Sequence, residues 1–238
     1  MLKKFILLEI ALSFGIISYA IDIADYKLEL KDFSELKVND CLNIEYRCSN
    51  DSAGYVFFSC EPEIASNLLF TSKKNSLNIQ VADDFDNFDR LPTIKVYSSM
   101  LEKVENGSDS TLFIISNQPV KSLKARVIGN GTIIFNSVEA TSVDLGIVTG
   151  RGHIVVNKGN TFKAKYSNVG TGTIEAGNLN SSQVKVIISG TGNIDCNASE
   201  SLSVYGMGSG SVYYSGEPSK ISNRSVGIKA FPVKTTNN

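Results

Sequence analysis

Gly129-Asn130-Gly131-Thr132-Ile133 is followed at near-constant intervals by Gly150-Arg151-Gly152-His153-Ile154, Gly170-Thr171-Gly172-Thr173-Ile174, Gly190-Thr191-Gly192-Asn193-Ile194 and Gly208-Ser209-Gly210-Ser211-Val212. Successive glycine pairs lie 21, 20, 20 and 18 residues apart. One step earlier, Ser108-Asp109-Ser110-Thr111-Leu112 fits the same frame with serines in place of glycines. A single Gly-x-Gly carries little information. Five in register, each leading through a polar residue to Ile or Val, define a repeat.

On both sides of each glycine turn the residues alternate. After it, Ile133/Phe135, Ile154/Val156, Ile174/Ala176, Ile194/Cys196 and Val212/Tyr214 share one face. Before it, Leu123/Ala125/Val127, Val143/Leu145/Ile147, Phe162/Ala164/Tyr166, Val184/Val186/Ile188 and Leu202/Val204 form a second run. A period of two, rich in β-branched and aromatic residues, means strands with one buried face. A unit of about twenty residues cannot bury that face alone, so units stack on their neighbours. Parallel pairing would set equivalent strands roughly 4.8 Å apart. Glycine suits the corners because it accepts positive φ and close backbone approach. The expected fold is therefore all-β, a parallel β-helix (β-solenoid) with Gly-x-Gly corners, right-handed by the general crossover rule. An antiparallel meander is the competing architecture, but hairpins do not require the same residue types every twenty positions.

Residues 21–238 read as a single solenoid domain, with the clearest repeats over 108–216. The first hundred of these residues are strand-like without repeating cleanly: Phe33–Tyr46, Gly54–Phe58, Leu77–Val81 and Thr93–Tyr97 are alternating or apolar runs. No linker composition separates them from the repeats, so they are expected to begin the stack. The acidic segment Ala82–Arg90 lacks the glycine and terminal glutamate of an EF-hand loop and reads as a solvated turn.

Composition narrows the function classes. The chain has 238 residues, 42% hydrophobic and 20% charged, which is the balance of a folded protein. A net charge of −1 provides no field for a phosphate backbone, so nucleic acid is not an expected partner. With one histidine, His153, and no Cys-x-x-Cys or Cys/His spacing, no metal site or cofactor is expected.

Residues 1–20 read as an export signal. Met1-Leu2-Lys3-Lys4 is basic, Phe5–Ile17 is mostly apolar with Glu9 interrupting it, and Ser18-Tyr19-Ala20 offers a small-x-small cleavage site. The apolar stretch is too short to span a bilayer, and no run of eighteen apolar residues occurs elsewhere. The expected location is the periplasm, the outer surface or the medium, with no membrane-spanning segment after cleavage. Export permits disulfides, and any two of Cys41, Cys48 and Cys60 are candidates, the connectivity being open. Cys196 falls on an inward position, where cysteine acts as a small hydrophobe.

Several stretches carry a family resemblance. Phe33-Ser34-Glu35-Leu36-Lys37-Val38 resembles the opening of the auto-transporter adhesin head domain, the GIN domain. Ile94-Lys95-Val96-Tyr97 running into Leu101–Ser108, the Gly-x-Gly units, and Gly210-Ser211-Val212-Tyr213-Tyr214-Ser215-Gly216-Glu217-Pro218 are similar to the same family. The resemblance spans about residues 30–232, and it departs from the family at Ser108-Asp109-Ser110 and in the three N-terminal cysteines. It implies an exported bacterial β-helical protein of a kind common in Bacteroidetes, with a surface-adhesion role and no catalytic residues to carry over.

Three functional readings follow. The first is a non-enzymatic cell-envelope or surface binding module whose partner is a glycan or an extracellular or envelope protein. Its candidate residues are Lys124, Arg126, Lys163, Lys165 and Lys185, which lie between inward positions and would form an outward basic stripe suited to an anionic surface. The simpler reading of that stripe is solubility and edge protection. The second is a carbohydrate-active enzyme using Glu175 and Asp195, equivalent outward carboxylates one rung apart. Exposed carboxylates with no basic neighbour in the frame more simply face solvent. His153 stands where other rungs carry Thr or Asn and reads as a polar corner residue. The third is a structural protein that assembles through an open solenoid end. Sequence leaves the oligomeric state open.

Overall fold

The computed structural model describes residues 23–233, so the export signal expected over residues 1–20 lies outside the described residues. The N-terminal part contains β1 (Ala24–Glu29), β2 (Glu35–Asn39), β3 (Ile44–Cys48), β4 (Tyr55–Cys60), α1 (Pro62–Asn67), β5 (Leu68–Lys73), β6 (Ser76–Val81) and β7 (Ile94–Ser98). The repeats then supply β8 (Lys103–Gly107), β9 (Thr111–Ser116), β10 (Val120–Ile128), β11 (Thr132–Phe135), β12 (Val138–Thr149) and β13 (His153–Val156). The chain closes with β14 (Gly159–Gly170), β15 (Thr173–Gly190), β16 (Asn193–Gly208), β17 (Ser211–Ser215), β18 (Lys220–Val226) and β19 (Lys229–Pro232).

From β8 onward every strand pairs in parallel with its equivalent in the next turn, giving a β-solenoid of about six turns. The register is the one the repeat demands. Thr132 lies opposite His153, His153 opposite Thr173, Thr173 opposite Asn193, and Asn193 opposite Ser211. Ile133, Ile154, Ile174, Ile194 and Val212 thereby stack as one fully buried ladder. Each such aliphatic side chain contributes about 1.5–3 kcal/mol by leaving water.

One inward assignment needs correction. Phe162 does not continue the Ala164/Tyr166 face and is 45% exposed. The pairing of β12, β14 and β15 skips Thr141, Phe162 and Ser182, where the chain bends between a short strand segment and a long one. Each regular turn therefore has three strand segments, and Phe162 projects from a corner.

The glycine corners divide their work. Gly190 has φ +135°, and a Cβ there would stand 2.3 Å from the carbonyl oxygen of Gly170 on the turn below. Gly172 has no positive φ to maintain, but a Cβ would come within 2.3 Å of Gly152 O. From Gly150 onward the first glycine of a pair is thus needed for both conformation and space, and the second for space. At Ser108-Asp109-Ser110 a buried asparagine braces the corner. Asn106 Nδ2 donates to Ser110 O and Thr132 O, each at 2.9 Å, and its Oδ1 accepts from the backbone N–H and hydroxyl of Ser108.

The N-terminal part joins the stack out of sequence order. Strand β2 pairs with both β6 and β8, and β3 with both β7 and β9, so residues 35–48 are wedged between the turns formed by 76–98 and 103–116. Beyond them the pairing turns antiparallel: β4 against β7 and β1, and β5 against β6. With Ile64 of α1 buried, these pieces cover that end of the core. The other end is barer. Ile221, aligned with buried Leu202, is 51% exposed on the last rung.

None of the candidate pairings among the first three cysteines is bridged. All four cysteines are free thiols, with Cys41 exposed, Cys48 half-buried, and Cys60 and Cys196 buried. Cys41 and Cys48 flank opposite ends of β3, too far apart along an extended strand for a disulfide. Among the described residues no helix is long and apolar enough to cross a membrane.

Candidate functional site

Alternation sends the residues between the buried ladders outward, and parallel stacking lines them up in columns. On the long segment of each turn, Lys103, Lys124, Asp144, Lys165 and Lys185 form one column. Lys163 stands beside it, opposite Ser142 and Gln183. Arg126 stands in a neighbouring column that runs from Glu105 through Arg126 to Gly146 and Ser167.

The structure brings these basic residues to one face, but engages several of them internally. Arg126 is nearly buried, its side chain 16% exposed. Its Nη2 meets Asp144 Oδ2 at 2.9 Å, and its Nη1 donates to the carbonyls of Ala125 and Asp144. Gly146 makes room for it: a Cβ there would approach the Arg126 Cδ to 3.1 Å. Lys165 Nζ shares the same carboxylate oxygen at 3.5 Å. Lys185 Nζ lies 5.1 Å from the ring centre of Tyr205, and Lys163 Nζ 5.7 Å from that of Phe162. Further ion pairs, Lys103–Glu35 and Lys37–Glu105, continue the mixed pattern toward the N-terminal end. The face is a network of alternating charge with surplus lysines, in which Arg126 is a brace.

The post-turn segment carries the carboxylates. Val155, Glu175, Asp195, Tyr213 and Phe231 form one outward column. His153 Nε2 lies 3.0 Å from Glu175 Oε1, a diagonal contact across one rung that sequence reading missed. The register itself held the signal, because Glu175 sits two residues beyond the partner of His153, within reach of long side chains. Asp195 rests against Gly177, where a Cβ would come within 2.5 Å of its Oδ2. Burial, and then the neighbouring Glu175 charge, hold its carboxyl above the ordinary carboxylate range, while a hydrogen bond from the Cys196 backbone pulls the other way. Tyr213 and Phe231 stack beyond it, 5.7 Å apart and 24° from parallel.

Chemically, this column has two neighbouring carboxylates, with the His153 imidazole in contact with one of them, the raw materials of acid–base work. It lacks a cleft. The groove described below is lined by neither Glu175 nor Asp195. Among the described residues no group of three or more His, Cys, Asp or Glu is arranged to hold a metal ion.

The fold recurs in known proteins. The family described as "putative auto-transporter adhesin, head GIN domain" matches residues 32–218.

The chain belongs to that family.

Among solved structures, the GIN-domain chain is similar to a putative adhesin from Bacteroides fragilis, at 23% identity and a TM-score of 0.81, covering 90% of this chain and 98% of that one. A putative adhesin from Parabacteroides merdae aligns at 17% identity and a TM-score of 0.72, covering 89% and 96%. A protein from Parabacteroides distasonis described as a putative lipid binding protein aligns at 17% identity and a TM-score of 0.66, covering 88% and 97%. No curated protein matches the GIN-domain chain significantly. At these identities the solved structures establish the shared fold.

Proposed function

We propose that this GIN-domain chain is an exported, non-enzymatic binding module of the cell envelope or surface, engaging its partner through the outer faces of the stacked turns. The observation that carries this reading is the organisation of the surface. Straight columns of polar side chains repeat at every rung, and their charges pair along the face instead of converging in a cleft. Membership of an adhesin head family and the expected export signal support the same reading. Repeated, weak contacts along such a face add up by multivalency.

The partners proposed are a glycan or an extracellular or envelope protein. Residues 21–238, probed on an array of glycans, matrix proteins and anionic lipid vesicles, should be retained by one ligand class without altering it. Retention that persists when Lys124, Lys163, Lys165 and Lys185 are replaced by Ala would move the contact away from the basic face.

A second reading has its own observation. The His153–Glu175 contact and the raised Asp195 carboxyl favour a carbohydrate-active enzyme centred on Glu175 and Asp195. Turnover on a polysaccharide panel that vanishes in Glu175→Gln would establish that reading in place of the first.

A further inference from the structure

The short segment of each turn carries a feature that neither the lysine face nor the carboxylate column uses. Glu139, Asn160, Asn180 and Asn197 are successive partners across three rung spacings. Their side chains form a continuous ladder. Asn160 Nδ2 donates to Glu139 Oε1 at 2.9 Å, Asn180 Nδ2 to Asn160 Oδ1 at 3.1 Å, and Asn197 Nδ2 to Asn180 Oδ1 at 3.5 Å. The ladder lines an open groove of about 810 Å³ that runs across these turns. The corner residue Phe162 contributes its exposed ring to the same groove, together with the hydroxyls of Thr141 and Ser182.

We infer that this groove binds a linear, neutral polysaccharide lying along the solenoid axis; the inference rests on the binding-module reading and gives it a site and a ligand class. Five arguments converge. An asparagine side chain has two N–H donors and a carbonyl with two lone pairs, and the ladder consumes one of each at Asn160 and Asn180. One donor and one acceptor per rung remain, side by side, the complement of vicinal sugar hydroxyls that both accept and donate. The ladder also fixes these amides before any ligand arrives, which lowers the entropy lost on binding.

Charge selects the neutral class. Glu139 is the only ionisable side chain lining the groove, so an anionic chain would meet a carboxylate along the lining, the Lys163 ammonium beside the Phe162 ring lying outside it. Spacing separates a glycan from a peptide. Rungs repeat roughly every 4.8 Å, whereas an extended peptide advances roughly 3.3 Å per residue and so meets every other rung out of step. A pyranose unit advances by nearly one rung. Finally, the exposed ring of Phe162 offers a flat apolar surface for the C–H face of one sugar.

The test is calorimetric titration of residues 21–238 with cello-, laminari-, manno-, xylo- and chito-hexaose, with oligogalacturonate as the anionic probe. At least one neutral oligosaccharide should bind. Asn180→Ala and Phe162→Ala should each weaken that binding about tenfold, with Ser209→Ala, in an exposed corner outside the groove, unchanged. Phe162 is exposed, so its removal leaves the core intact even if Asn180→Ala lowers the melting temperature. Neutral glycan binding that both variants retain in full overturns the groove assignment. Binding only to oligogalacturonate or to a matrix protein, or to no probe at all, overturns the ligand class while leaving a module of other specificity standing. Turnover that is lost in Glu175→Gln overturns the module reading itself.

Discussion

Arg126 and Asp144 face each other across adjacent turns at 2.9 Å, and the same carboxylate oxygen also holds Lys165. Asp144 therefore restrains two cations of the lysine face at once. Asp144→Ala should release both, costing about 1 kcal/mol because the pair is only partly shielded from water. That corresponds to a melting temperature about 2–4 °C lower. Elution from an immobilised polyanion should move to higher salt. Unchanged elution would mean that Arg126 stays bound to the backbone carbonyls of Ala125 and Asp144 without its carboxylate.

Ile174 sits in the middle of the buried ladder, between Ile154 and Ile194. Ile174→Asp should cost about 3–5 kcal/mol, since no partner is available for a buried charge. Thr171→Ser, in the exposed turn of the same rung, should stay within about 0.5 kcal/mol of the parent. Chemical denaturation of the two variants side by side checks the inward assignment.

Gly190 combines φ +135° with 2.3 Å of clearance from the turn beneath. Gly190→Ala should destabilise by at least about 2 kcal/mol, from strain alone and before any steric shift is counted. Ser209→Ala, exposed in the next corner, should be close to silent. Equal melting curves would remove the corner from the account of stability.

Asp195 ties stability to pH in an unusual direction. Its carboxyl holds a proton more tightly in the folded chain than the ordinary value of 3.8, because burial and the Glu175 charge disfavour the anion. The folded state therefore binds more protons in the window above 3.8, and stability falls as pH rises through it. The penalty grows as pH rises above 3.8 and is absent in strong acid. Asp195→Asn should melt above the parent at pH 7, with the difference closing as pH approaches 3.8. Thermal melts across that range read the sign directly.

The thiols should react in order of exposure. Burial pushes Cys60 up to about 11 and Cys196 up to about 12, so neither offers thiolate or access at neutral pH. Cys41 is exposed, though slight burial and the charges of Asp109, Asp40 and Asp89 raise it too. Timed alkylation followed by mass spectrometry should label Cys41 slowly at pH 7 and faster at pH 9. Cys60 and Cys196 should be labelled only on unfolding.

The turns from Thr132 to Val212 were legible in the sequence because every rung buries the same positions and bends at the same glycines. Phe162 was misread for a related reason: the alternation passes through a second corner that has no glycine to mark it. The N-terminal order was not legible. It depends on which distant segments pair, and Glu35 opposite both Ser76 and Lys103 leaves no local pattern. Of the site residues, the outward direction of the lysines was readable from alternation alone. The neutralisation of Arg126 by Asp144 and the approach of His153 to Glu175 needed the register between turns, which fixes which side chains become neighbours.

The wedged position of residues 35–48 also dictates an order of assembly. A chain synthesised from its N-terminus produces β2 and β3 before either set of their sheet neighbours, so these strands wait with bare edges until residues 76–98 and 103–116 have followed. The regular turns beyond can then add one at a time, each on a completed template. Closing the early segment is a long-range event and the slow step of folding, and until it happens those waiting edges are the place where two nascent molecules would join by mistake.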